Sequence, residues 1–338
     1  MTQNELISAL EKLGERISVW LNNEKLCDKL TCATNNAIAE NDWFTRESIK
    51  KMLSAISSQM LDGANLKHWI SKYEVLGKSP KRVGIIAAGN IPLVFFHDLI
   101  CVLISGNIAV VKLSSKDKIL PECVINLLID IEPRLKNFIE IVETKSLNVD
   151  AVIATGSDNT FKFFEEEFGE IPHIFRKNRT SVAIIKGDEN LEQLALLGED
   201  IFSFFGLGCR NVSKIFVPNN YDFAKFIKVV EKFSEVKNHE PYMNAYRYNR
   251  ALLKINGNTF IDNKFWLLTE NFGFFSPVSV IYYEKYSNLE SINKILIDNS
   301  EQIQCVVNGD VDFGESQKPQ LNNYADGIDV MNFLLKQI

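Results

Sequence analysis

Several of the usual signals for a chain's partners are missing here. Six cysteines include no CxxC pair, and Cys27 and Cys32 stand five apart with no histidine ligands nearby, so no zinc site is expected. The amino end has no basic start followed by an apolar core, which predicts a cytoplasmic chain, and a disulfide framework is not expected in one of this size. No apolar stretch approaches the length needed to cross a bilayer. The longest, residues 91–104, contains His97 and Asp98 and reads as a buried helix. Basic runs are short, and the formal net charge of -6 gives no pull toward nucleic acid or anionic lipid. Repeats, low-complexity tracts and flexible linkers are also absent.

What remains is patterned for an α/β protein. Leu6, Leu10, Leu13, Ile17 and Leu21 fall at helical spacing, as do Ile49, Met52, Leu53, Ile56 and Met60 behind a capping Thr45. From residue 83 short apolar runs alternate with helical segments. Strands are expected at 83–88, 108–111, 138–142, 151–154, 181–186, 212–217, 265–268 and 278–283. Helices are expected from Pro92 to the Ser105-Gly106 stop, at 122–131, after Gly156-Ser157 to Phe168 and at 190–204. Such alternation implies a doubly wound, mostly parallel sheet. The expected division is residues 1–186 for amino-terminal helices and a nucleotide-binding domain, 187–305 for a smaller domain carrying Cys209, and 306–338 for a returning segment.

Four short constellations carry chemistry. Ala88-Gly89-Asn90-Ile91-Pro92 lies where a strand gives way to a helix, the place ligands bind in an open parallel sheet. Asn90 there either donates to a developing oxyanion or simply caps the helix. Lys112, just past the next strand, suits a ribose or phosphate, or is an exposed lysine. Gly156-Ser157 opens a helix, where glycine admits a phosphate to the backbone, although many strand-to-helix turns look the same. Gly206-Leu207-Gly208-Cys209 puts glycines ahead of a thiol, which exposes it; a nucleophilic role needs access and a polar setting, and an inert buried thiol is the alternative.

In this order and spacing the four resemble the aldehyde dehydrogenase superfamily over about residues 83 to 285, with Glu270-Asn271-Phe272-Gly273 and Pro277-Val278 resembling a later family segment. Within it, the segments 205–217, Arg176-Lys177-Asn178-Arg179-Thr180-Ser181 and Tyr324-Ala325-Asp326-Gly327 are similar to the fatty acyl-CoA reductases of bacterial luminescence systems and their shorter relatives. The resemblance implies the aldehyde-dehydrogenase-like fold, a nicotinamide dinucleotide bound along Lys112, Ser115, Gly156, Ser157 and Glu270, a nucleophilic Cys209 with Asn90 at its oxyanion, and a homo-oligomer.

Two departures refine what it implies. Oxidising relatives place a glutamate, which activates water, where this chain has Arg176; without that base an acyl-enzyme resists hydrolysis, which favours reduction of an acyl-CoA or other acyl thioester to an aldehyde. The position of a ribose-binding glutamate holds Ser115, and Lys116 and Lys118 add positive charge, so NADPH is expected, with NADH as the alternative. His173 is the expected proton relay or else a structural histidine, with His97 and His239 as further candidates. An acyl phosphate reductase and a non-catalytic nucleotide- or acyl-binding component are the rival readings. Phe202, Phe204 and Phe205 either line an aliphatic chain or pack a core.

Overall fold

The computed structural model describes residues 1–75, 79–144, 147–156 and 158–338, and only the backbone of Asp158 and Asn159. Two compact units emerge: Met1–Asn178 with Lys318–Ile338, and Arg179–Gln317.

The first unit opens with helices α1 (Gln3–Asn22), α2 (Asp28–Glu40), α3 (Arg46–Ala55) and α4 (Gly63–Ile70). The apolar stripe of α1 is buried at Leu6, Leu10, Leu13 and Ile17, joined by Trp20. Each such side chain contributes about 1.5–3 kcal/mol by leaving water. Thr45 caps α3, its Oγ1 accepting from the Ser48 N–H at 3.1 Å. Then come β1 (Arg82–Ile86), α5 (Phe96–Ile104), β2 (Ile108–Lys112), α6 (Ile119–Ile131), β3 (Ile139–Ile141), β4 (Ala151–Thr155), α7 (Asp158–Phe168) and β5 (His173–Arg176). The five strands form a parallel sheet in the order β3-β2-β1-β4-β5. The order turns back between β1 and β4, so the crevice beyond their carboxyl ends is the topological switch point.

The helix expected from Pro92 starts later. Residues 92–95 form a turn and α5 begins at Phe96, because Leu93 takes a left-handed φ of 56° that a helix cannot continue through. At the other end, Gly106 with φ of 80° supplies the left-handed stop.

The second unit holds β6 (Thr180–Ile184), α8 (Leu191–Phe202), β7 (Val212–Pro218), α9 (Ala224–Val230), α10 (Glu240–Ile255), β8 (Phe260–Asp262), β9 (Leu267–Glu270), β10 (Val280–Tyr286), α11 (Leu289–Asp298) and β11 (Ile303–Val307). Its sheet runs β11-β6-β7-β10-β9-β8, parallel except where β8 pairs β9. The units part at Asn178 and Gln317, not near 187 and 306. The reason is pairing: β6 lies between β7 and β11, so both β6 and β11 belong to the second sheet.

The chain then returns to the first unit and ends with α12 (Val330–Lys336). Trp69 Nε1 donates to Tyr324 Oη at 2.9 Å, and the Tyr73 and Tyr324 hydroxyls lie 2.6 Å apart. His97 Nε2 bonds the Leu321 carbonyl at 2.9 Å. No helix among the described residues is long and apolar enough to cross a membrane.

Candidate active site

The carboxyl edge of the first sheet collects four of the expected residues. Lys112 closes β2, half-buried and without an ion pair among the described residues. Its carbonyl accepts from the Ala87 N–H at 3.0 Å, which ties the loop after β1 to the end of β2. Gly89 completes that junction: a Cβ there would stand 2.5 Å from Ser114 Oγ, so only glycine lets the two loops meet. Asn90 follows it and is exposed, as is Ser115 in the next loop. Gly156 ends the turn after β4; a Cβ would meet the Phe164 ring at 2.9 Å, and its N–H points to the Arg176 carbonyl at 3.4 Å. Gly156 therefore lets α7 pack close. Ser157 lies outside the described residues. A switch-point crevice, a lysine with no ion pair among the described residues and loops packed through glycine suit a dinucleotide. Lys118, however, is engaged by Glu143 at 2.6 Å and Glu122 at 3.8 Å, so less positive charge is left at this edge than the sequence suggested.

Asp117 anchors the same loops from beneath. Its Oδ2 accepts from the N–H of the left-handed Leu93 at 2.6 Å, while Oδ1 is buried without a partner. Burial pushes this carboxyl up to about 7, and the Leu93 N–H only partly opposes that. Because the folded value lies above the ordinary 3.8, folding takes up a proton between the two, and stability is lost as pH rises through that window. The Asp117→Asn variant, which keeps an acceptor for Leu93, should gain on wild type between pH 5 and pH 8 by roughly 2–4 kcal/mol in urea denaturation. An equal difference at both pH values would sink this assignment.

In the second unit, Cys209 sits half-buried in the turn between α8 and β7. The chain reaches it through Phe204, Phe205 and Gly206, all left-handed, with φ of 50°, 58° and 77°. Such a run costs about 1–2 kcal/mol for each non-glycine residue, and surrounding bonds must hold it. They do. Ser181 Oγ donates to the Cys209 carbonyl at 3.0 Å and lies 3.1 Å from Cys305 Sγ. The register of β6 slips on both sides of Ser181, toward β7 and toward β11, which opens two bulges beside the turn. Burial raises the Cys305 thiol to about 11, as suits a structural cysteine.

The remaining expectations fall elsewhere. Glu270 ends β9, exposed, with Lys285 Nζ 3.9 Å away. It pairs in register with Tyr283 and, through it, with Ile215 at the middle of β7, whereas Cys209 precedes the amino end of β7. Within the first unit, His173 opens β5 opposite Val152, three residues short of the carboxyl edge, exposed and stacked on Phe175 at 4.0 Å. His239 caps α10 and stacks on Phe205 at 3.9 Å. Phe202 packs against Phe233 and Phe265 at 5.2 and 5.8 Å and Phe204 is buried too, so these two serve the core, while Phe205 is half-buried.

Sequence reading missed three features. Arg176 closes β5 in a buried bidentate pair with Asp98 of α5, at 2.6 and 2.7 Å. An aspartate inside an apolar helix was the available signal, since a buried charge needs a partner. Lys214 on β7 is fully buried between the Phe216 and Phe274 rings, paired with Glu284 and donating to the Phe272 carbonyl at 2.9 Å. Burial lowers its affinity for a proton, and Glu284 opposes this. The third, Asn211, stands two residues past the thiol.

Aldehyde dehydrogenase 21 of Physcomitrella patens, solved with succinate, matches with a TM-score of 0.66 at 11% identity over 100% of this chain and 84% of that one. The glyceraldehyde-3-phosphate dehydrogenase of Methanocaldococcus jannaschii, solved with NADP, matches at 0.58 with 16% identity over 91% and 81%. An aldehyde dehydrogenase of Bacillus cereus, solved with NAD+, matches at 0.62 with 14% identity over 90% and 76%. At these identities the likeness establishes the fold. No curated protein matches by sequence. The family model described as acyl-CoA reductase (LuxC) matches residues 6–240, which is more than half of the chain, and so this protein belongs to the LuxC acyl-CoA reductase family.

Proposed function

We propose that this chain reduces an acyl thioester, acyl-CoA in the first instance, to an aldehyde through an acyl-enzyme on Cys209. The turn that presents this sulfur carries the reading: a half-buried thiol behind three left-handed residues, with side chains bonding the peptides around it. The Cys209 thiolate attacks the thioester carbonyl, the tetrahedral oxyanion collapses, and CoA leaves as the thiol. Asn90 is assigned to that oxyanion, where one lost donor typically costs about 2.7–4 kcal/mol. A bound nicotinamide dinucleotide supplies the hydride that brings the acyl group to the aldehyde level. Lys112, Ser115, Gly156 and Ser157 are the residues proposed to hold it, with Glu270 assigned to its ribose. His173 keeps the proposed role of proton relay, with His239 the alternative in the same unit as Cys209.

Arg176 supports the reductive direction. It stands where the resemblance places the water-activating glutamate of oxidising relatives, and its guanidinium is committed to Asp98. NADPH oxidation measured against acyl-CoA esters of graded length, with the aldehyde trapped, tests the reading. Free fatty acid as the main product would overturn it.

NADPH is proposed over NADH because Ser115 brings no carboxylate to repel a 2′-phosphate, although Lys118 adds less charge than its position suggests. Replacing the residue, Ser115→Glu, is expected to lower kcat/KM for NADPH by about tenfold or more and to leave that for NADH nearly unchanged. Equal losses with both cofactors would count against the assignment.

A further inference from the structure

Between the end of α8 and Cys209 the backbone leaves the helical conformation at Phe204 and Phe205. Helix α8 stops at Phe202, leaving its last carbonyls without intrahelical donors. Three left-handed residues follow. What spans the gap is Asn211, a residue only 2% exposed. Its Nδ2 donates to the Ser203 carbonyl at 2.7 Å and to the Asp200 and Ile201 carbonyls at 3.2 Å each. Its Oδ1 accepts from the Gly208 N–H at 2.8 Å, and its own N–H returns to the Gly208 carbonyl at 3.0 Å. One planar amide thus caps the helix and grips the peptide before the thiol.

We propose that Asn211 is the positioning residue of Cys209, setting where the sulfur stands relative to α8; this rests on the nucleophilic role proposed above. Only an amide meets the demand. Aspartate would set a second acceptor against three carbonyls, and leucine offers neither donor nor acceptor. The frame extends on both sides. The Asp200 carboxylate, fully buried, accepts from the N–H groups of Gly314 and Ser316 at 2.7 and 3.1 Å. Arg210 Nη1 reaches the Ser316 carbonyl at 3.4 Å. Ser181 fixes the Cys209 carbonyl from the sheet side. Asn211 is the member that joins helix to turn.

The test compares Asn211→Ala with Asn249→Ala in the full chain. Asn249 is another buried asparagine of the same unit, whose Nδ2 donates to the Val278 carbonyl at 2.9 Å far along the sequence from Cys209. Two quantities are read beside Tm: alkylation of Cys209 by iodoacetamide, followed on its own peptide by mass spectrometry, and kcat with acyl-CoA and NADPH. Asn211→Ala is expected to slow alkylation about tenfold and kcat about a hundredfold, with KM for NADPH unchanged, because small misplacements of a reacting group have effects of this size. Asn249→Ala should lower Tm and leave both rates alone. If Asn211→Ala lowers Tm but keeps both rates, the proposal is overturned. Should that variant not fold, Asn211→Ser is read the same way, and unchanged rates again overturn it. A wild-type protein that reduces no acyl-CoA defeats the reductase reading, while the alkylation comparison still decides the role of Asn211.

Discussion

Replacing Cys209 by alanine is expected to lower acyl-CoA-dependent NADPH oxidation by about a thousandfold or more, since removing a covalent nucleophile removes the route itself. The same change should leave the fold intact. The Ser181 and Asn211 bonds at the turn use the Cys209 carbonyl and the Gly208 N–H, which the alanine variant keeps. Incubation with acyl-CoA should add the mass of one acyl group to wild type and none to Cys209→Ala, with Tm within about 2 °C of wild type. Retention of a tenth of the turnover would show that the thiol is not the acyl carrier. Cys101 and Cys305 give an internal control, because both are buried and burial holds their thiols protonated.

The second large effect concerns stability. Breaking the Asp98–Arg176 pair from either side should cost about 3–5 kcal/mol, because each single change strands a charge that is less than a tenth exposed. Burial works against the Arg176 charge, yet the Asp98 carboxylate prevails and holds the guanidinium above its ordinary value. For a unit of this size the loss corresponds to roughly 10 °C in Tm. The double change Asp98→Leu with Arg176→Met removes both charges and keeps most of the volume, so it should recover most of the loss. If the double variant were as unstable as the sum of the single ones, the pair would not be acting as a unit.

Much of this was legible from residue order because helices and buried strands carry period and punctuation. The stripe through Leu6, Leu10, Leu13 and Ile17, the Thr45 cap and the Gly106 stop appear in the structure where the pattern puts them. The start of α5 was not, since Pro92 suits a first helical residue, whereas the left-handed Leu93 depends on Asp117, a residue 24 positions later. The domain boundary failed for a related reason. The apolar run of β6 looks the same whichever sheet receives it, and only its pairing with β7 and β11 assigns it. At the candidate site, the thiol announced itself through its glycines. Asn211 did not, because a buried asparagine is recognised by the carbonyls it meets and those lie eight to eleven residues away.

The first sheet is written early in the chain, but part of its hydrophobic wall is written late. Leu321, Tyr324, Val330, Met331, Phe333 and Leu334 all join the core built on α1 and β1, and they are separated from it by the whole of Arg179–Gln317. A ribosome therefore releases every residue of the second unit before the first can be closed. The nascent first unit must wait with an open flank, exposed to chaperones and proteases, while the later-made unit already has its full complement of strands.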